Sequence, residues 1–138
     1  MLFLKRKNPK QGLRGFVEKD VPEQIIEELL YKAIELPSGG NCYPWHFFII
    51  RDKSIIEQIY EKACKELFLI TAPVLLIACK NTRPFSGYIN DPEHSHNTFS
   101  SRDTEYVIEN ILFCATALNL CSYWCGEFNE EALKEVGN

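Results

Sequence analysis

Apolar residues in DVPEQIIEELLYKAIEL, residues 20–36, recur at helical spacing, with Ile25, Ile26, Leu29, Leu30, Ala33 and Ile34 on one stripe. Asp20 and Glu23 make a capping-box pattern, and Pro22 falls in the first turn, where its missing N–H costs nothing. Pro37 and the Gly39-Gly40 pair stop this helix. HFFIIR, 46–51, is a short continuous apolar run and reads as a buried strand. Helical spacing returns in DKSIIEQIYEKACKEL, 52–67, through Ile55, Ile56, Ile59, Tyr60, Ala63 and Leu67, with Asp52 as the cap. PVLLIAC, 73–79, is a second buried strand. Residues 80–102 have no periodicity and many turn formers, which predicts a long loop or lid. DTEYVIENILFCATALNL, 103–120, is apolar around most of its circumference and predicts a largely buried helix. CSYWC is a third strand, GEF a turn, and NEEALKEVG a short helix capped by Asn129 and ended by Gly137. Helices alternating with buried strands predict an α/β or α+β class, with a sheet covered on both faces.

Length and composition narrow this further. A chain of 138 residues suits one domain spanning 1–138 and is long enough for a real core. Its net charge of -4 gives no reason to expect nucleic acid. Charge is nonetheless uneven, because Lys5, Arg6, Lys7, Lys10 and Arg14 all precede the first acid, Glu18. That segment is either a solvated arm or a local anion site. MLFL is too short for a signal peptide and no run is long enough to span a bilayer, so a cytoplasmic location is expected. Six cysteines then belong to a setting where disulfides are rare. Cys64, Cys79 and Cys114 lie in apolar runs and read as small hydrophobes. Cys121 and Cys125 lack a second pair at ligand spacing, so no metal site is expected.

The chain has no phosphate-loop motif, no dinucleotide fingerprint and no G-x-S-x-G elbow. His46, His94 and His96 supply no evident triad; His94-x-His96 reads as part of a polar loop, and Cys42 beside His46 is weak as a thiolate–imidazole pair. Three segments stand out instead. KQGLRGF, 10–16, spaces Lys10 and Arg14 around a glycine; LPSGGNCYPWHF, 36–47, crowds two prolines, two glycines, an amide and two large aromatics ahead of a strand; LCSYWCGEF, 120–128, runs a strand into Gly126. Singly each has an ordinary explanation: surface charges, a helix C-cap, a strand-to-helix turn.

With Ala72-Pro73 ahead of the second strand, these segments in this order resemble the nitroreductase family of FMN-dependent oxidoreductases, over nearly the whole chain except 81–102. The resemblance implies an α+β, three-layer α/β/α sandwich with a mixed sheet, working as a homodimer with FMN at the subunit interface. It implies that Pro37, Ser38, Gly39 and Asn41 wall the isoalloxazine from one subunit. Cys125, Gly126 and Glu127 would form the turn whose backbone N–H faces flavin N5. Lys10, Gln11 and Gly12 would meet the FMN phosphate, and Arg14 the N1–C2 carbonyl edge, where a fixed cation stabilises the charge that reduction leaves. The flavin carries the chemistry, so no catalytic protein side chain is expected. The implied activity passes a hydride from NAD(P)H through N5 to a nitroaromatic, quinone or similar small aromatic acceptor.

Three departures stand against the family pattern. Tyr43 replaces the usual Gln, Gly12 stands where a Ser often meets the phosphate, and the family's further strand and embracing tail do not follow Asn138. The expectation is either a truncated chain of the family or a minimal member with a weakened cofactor site. The alternatives are a flavin-modifying enzyme or reductive dehalogenase on the same scaffold, and, from another class, a non-catalytic flavin-binding or cysteine/metal-binding module.

Overall fold

Val74–Lys80 forms a strand, β3, whose first three residues are all buried. Neighbouring side chains of a strand point to opposite faces, so a continuous apolar run demands cover on both sides. It has it. Val74 and Leu76 enter one core cluster with Ile26, Leu29, Val107, Ile111 and Leu120, and Leu75 enters a second with Ile56, Ile59, Cys64, Leu69 and Cys125. The structure, a computed structural model, describes residues 2–6, 19–81 and 92–137.

The sheet has four strands in the order β2-β3-β1-β4, where β1 is Leu2–Arg6, β2 is Trp45–Ile50 and β4 is Leu120–Trp124. Helices α1 (Glu23–Ala33) and α4 (Pro92–Ala117) cover one face. Helices α2 (Lys53–Lys62), α3 (Phe68–Thr71) and α5 (Glu130–Val136) cover the other. This is the three-layer α+β sandwich that the resemblance implied. The sheet departs from expectation in one respect. All three pairings among the described residues are antiparallel, where a mixed sheet was expected. β3 and β4 do run parallel, since both are antiparallel to β1, but β1 lies between them and keeps them from pairing.

Several local signals act as read. The Asp52 side chain accepts from the Ser54 N–H at 2.8 Å and starts α2, and the Asn129 side chain accepts from the Ala132 N–H at 3.0 Å and starts α5. Asp20 does not cap α1. It meets Arg51 Nη1 at 3.1 Å and links the approach to α1 with the end of β2. α1 stops at Ala33, ahead of Pro37 and the glycines, and Asn110 of α4 donates its amide to the freed Ala33 carbonyl at 3.1 Å.

Three other readings change. The basic start is not simply an arm, since Leu2–Arg6 is an interior strand of the sheet. β2 is an edge strand with Phe48 and Ile49 exposed, not a buried one. Finally, α4 begins at Pro92, so the eleven residues 92–102 expected in a loop, His94 and His96 among them, are helical. Ser and Thr weaken helix signals because their hydroxyls compete for the backbone. Here the Thr104 hydroxyl is buried and donates to the Ser100 carbonyl within the helix at 2.7 Å, so the competition is resolved in the helix's favour.

Two-sided burial makes β3 the costliest place to remove volume. Leu75→Ala is expected to lower unfolding free energy by about 2–5 kcal/mol, whereas Leu67→Ala, at a position 66% exposed, should change it by less than about 0.5 kcal/mol. Chemical denaturation of the two variants measures the contrast.

Candidate functional site

The stretch between α1 and β2 folds as a tight turn in its own right. Gly39–Asn41 is one turn of 3-10 helix, closed by Asn41 N–H to the Ser38 carbonyl at 3.0 Å. Gly40, Asn41 and Tyr43 all take left-handed backbone, with φ of 58°, 56° and 44°. Gly and Asn adopt it readily; a tyrosine there is strained by about 1–3 kcal/mol. Two contacts hold the shape. The Ser38 Oγ accepts from the Tyr43 N–H at 2.8 Å, and the Asp103 carboxylate of α4 accepts from the Gly39 N–H at 2.7 Å. A Cβ on Gly39 would come to 3.3 Å from that carboxylate and 3.6 Å from the Phe99 ring, so a larger residue there would push the carboxylate back by a few tenths of an ångström. Trp45 is buried behind the turn, with Tyr43 edge-on to it at 5.6 Å. Gly40, Asn41, Cys42 and Tyr43 face outward.

The second segment begins where β4 ends. Gly126 and Glu127 are exposed, and a Cβ built on Gly126 would meet nothing within 4 Å. Its φ is not left-handed either. Nothing in the described chain requires a glycine at 126. Cys125 turns its side chain inward, with its sulfur 3.4 Å from that of Cys64 and donating to the Glu127 carbonyl at 3.4 Å. Only its backbone is placed with the turn.

One copy of the chain does not bring these two segments together. Residues 37–44 lead into β2 at one edge of the sheet, and Gly126 follows β4 at the other. Three strand spacings, roughly 14 Å, separate the two edges. Lys10, Gln11, Gly12 and Arg14 lie outside the described residues. Cys42 directs its thiol at the Gly40 carbonyl rather than at His46, whose ring lies 6.1 Å from that of Phe48. No group of three or more metal-ligating side chains occurs among the described residues. A cavity of about 330 Å³ lies near Asp20, Arg51 and Thr71, at the far end of β2 from Trp45; Ala72 and Pro73 line it, but none of the residues expected to contact FMN does.

The Nitroreductase family model matches residues 13–70, which include the whole 37–45 turn. An Archaeoglobus fulgidus protein named as a candidate NADH dehydrogenase/NAD(P)H nitroreductase is 28% identical over 130 residues, covering 92% of this chain and 69% of that relative. A Clostridium acetobutylicum structure described as a candidate NADH oxidase superposes with a TM-score of 0.73 at 26% identity, over 94% of this chain and 75% of its own. The chain resembles the nitroreductase family in sequence and shares its fold. A Desulfovibrio desulfuricans structure, a candidate nitroreductase in complex with FMN, shares the fold with a TM-score of 0.68 at 21% identity, over 88% of this chain and 70% of its own.

Two residues that shape the site were not legible beforehand. Asp103 stands 64 positions from the Gly39 it anchors, inside a stretch with no local signal of a turn contact. Cys64 reads as an ordinary apolar filler, yet it meets Cys125 beneath the Gly126 turn. Cys79 and Cys114, expected to be buried with it, are only half-buried.

Burial, with Cys64 beside it, pushes the Cys125 thiol up to about 11 from an ordinary 9.0, against a smaller opposing effect of its bond to the Glu127 carbonyl. The unfolded chain therefore ionises this thiol first as pH rises. Its contribution to stability is full below about 9 and disappears as pH climbs to about 11. Under reducing conditions, unfolding curves from pH 8 to 11 should show that alkaline loss in the native chain, and Cys125→Ala should show less of it.

Proposed function

We propose that this chain supplies two halves of an FMN site, each completed by the other half from a second copy, and acts as an NAD(P)H-dependent flavin oxidoreductase. The observation that carries the reading is the pairing of a strained, outward-facing turn at one sheet edge with a glycine at the other that no described residue requires. Among the described residues, the space beside the Gly126 backbone is open. A flat cofactor lying against that backbone is one thing a Cβ would push away.

The outer side of α4 supports two copies. Phe99, Tyr106 and Phe113 recur every seven residues and are 39%, 60% and 73% exposed. Residues seven apart on a helix share a face, so these aromatics form one stripe opposite the buried Val107, Ile111 and Ala115. The sequence predicted a helix over 103–120 that is apolar around most of its circumference; the structure divides α4 between a core face and an aromatic face. Phe99 also touches the Gly39 turn. A partner seated on the stripe would meet the turn at its end. That is the arrangement a cross-subunit wall needs.

On this reading Pro37, Ser38, Gly39 and Asn41 form the wall. Ser38 and Gly39 act mainly through shape, because the Ser38 oxygen and the Gly39 N–H already bond within the chain. The backbone of Cys125, Gly126 and Glu127 lies against the ring from the other copy. Lys10, Gln11 and Gly12 hold the phosphate, and Arg14 holds a positive charge beside the N1–C2 carbonyl edge. Bound FMN supplies hydride transfer from NAD(P)H to a nitroaromatic, quinone or similar acceptor. Tyr43, where the family has a Gln, offers an exposed ring that suits an aromatic acceptor better than an amide would.

Two outcomes test this. Purified protein should show a flavin spectrum, and added FMN should shift sedimentation from monomer toward dimer, since a ligand bound only by the dimer stabilises it. Gly126→Ala should keep its stability, because its Cβ enters open space, yet lose FMN affinity by about tenfold; Phe113→Asp should weaken dimer and FMN binding together. Full-affinity FMN binding by a monomer would overturn the two-copy site. Separately, Arg14→Ala should lower the flavin reduction potential more than it weakens FMN binding, which a potentiometric titration decides.

A further inference from the structure

Among the described residues, Cys64 and Cys125 are two thiols, 61 positions apart in sequence, whose sulfurs come to 3.4 Å. Both are only 3% exposed. Cys64 ends the turn that closes α2, with its N–H on the Ile59 carbonyl at 3.0 Å. Cys125 immediately precedes Gly126. Two further bonds fasten the same piece of chain: the Cys125 thiol donates to the Glu127 carbonyl, and the Asn129 N–H donates to the Ala63 carbonyl at 2.8 Å. The Gly126–Glu127 turn is therefore seated on the end of α2 through this pair of sulfurs and their neighbours.

We propose that Cys64 and Cys125 form a thiol/disulfide pair that resets the Gly126–Glu127 turn, and with it the flavin affinity of the site; the last part rests on the function proposed above. A disulfide needs the sulfurs about 1.4 Å closer than they are, near 2.0 Å. That closure draws Cys125 toward α2 and removes the thiol proton from the Glu127 carbonyl, which loses its bond. The oxidant is hydrogen peroxide, because both sulfurs lie under cover that a bulky disulfide reagent would not readily pass. One thiol, on ionising, attacks the peroxide O–O bond to give a sulfenic acid and hydroxide, which becomes water on taking up the proton the thiol lost. The second sulfur then displaces the sulfenic oxygen as water and forms the S–S bond. The two thiols lose two electrons and two hydrogens, and the peroxide is reduced to two waters. A small thiol in excess reverses the change by exchange. The high pKa of Cys125 makes the thiolate scarce near neutrality, so the reaction is slow and responds to sustained rather than brief oxidation.

The test treats the full chain, first fully reduced, with hydrogen peroxide. Two of the six free thiols should disappear, the mass should fall by two hydrogens, and peptide mapping should join Cys64 to Cys125. Amide exchange at 126–129 should change on linkage and return on reduction, and Cys64→Ala should show neither effect. FMN affinity should fall by about tenfold in the linked form and recover with thiol. Linkage of another pair, over-oxidation without linkage, or linkage that leaves exchange at 126–129 unchanged would overturn the proposal. If neither form binds FMN, the flavin reading fails, while the thiol count and exchange still judge the switch.

Discussion

Leu75 and Leu76 are chain neighbours that lie in different cores, and the rest of the molecule follows from that division. A strand with apolar residues on both faces cannot leave either face to water. Burying each large side chain is worth about 1.5–3 kcal/mol, so helices on both sides are stabilising. The chain supplies them in alternation: α1 and α4 to one face, α2, α3 and α5 to the other. The same division sets where function can sit. The faces of the sheet are filled, so the accessible places are its ends and edges, and the 37–43 turn and Gly126 are found there.

Helix α4 shows the second use of that constraint. Its inner side is closed by Val107, Ile111 and Ala115 against the sheet and α1. Its outer side carries the aromatic stripe, and at its N-terminal half Asp103 grips the turn. One helix thus couples the core to both the turn and the surface on which a second copy is proposed to dock. A shift of α4 relative to the sheet would move Asp103 and the stripe together. On the proposed reading, site geometry and assembly would be mechanically linked through this element.

What was legible in the sequence follows a physical pattern. Asp52 and Asn129 were readable as caps because a cap is local: side chain and N–H lie within three residues. The double-sided β3 was readable because continuous apolar character has few other meanings. β1 was missed because five residues ending in Lys-Arg carry no signal of an interior strand; its place is set by partners more than 70 positions away. The start of α4 was missed because Ser and Thr there find partners only once the fold is made. In the site, Gly-Gly-Asn announced a turn, since left-handed backbone has a composition. Asp103 and the Cys64–Cys125 contact announced nothing, being meetings of distant segments. The cofactor roles came from resemblance, as no spacing of these residues alone names a flavin.

Tyr43 gives the last step. A tyrosine at φ 44° is held against its own preference, and the chain commits a serine hydroxyl, an aspartate and a buried tryptophan around it. A connector from α1 to β2 would be more stable relaxed, with glycine or asparagine at that position. Strain that persists under so many restraints is stored for a reason outside the connector's own packing. Among the described residues, the exposed side of the turn is the surface left for a partner. A rigid turn loses little entropy when something flat is laid on it, because the ordering cost was met in folding. The same reasoning covers Gly126 from the other direction: there the described residues leave room they do not use. One element holds a shape its own packing does not need, the other a space its described neighbours do not fill, and the ligand proposed to be shared between two copies would account for both.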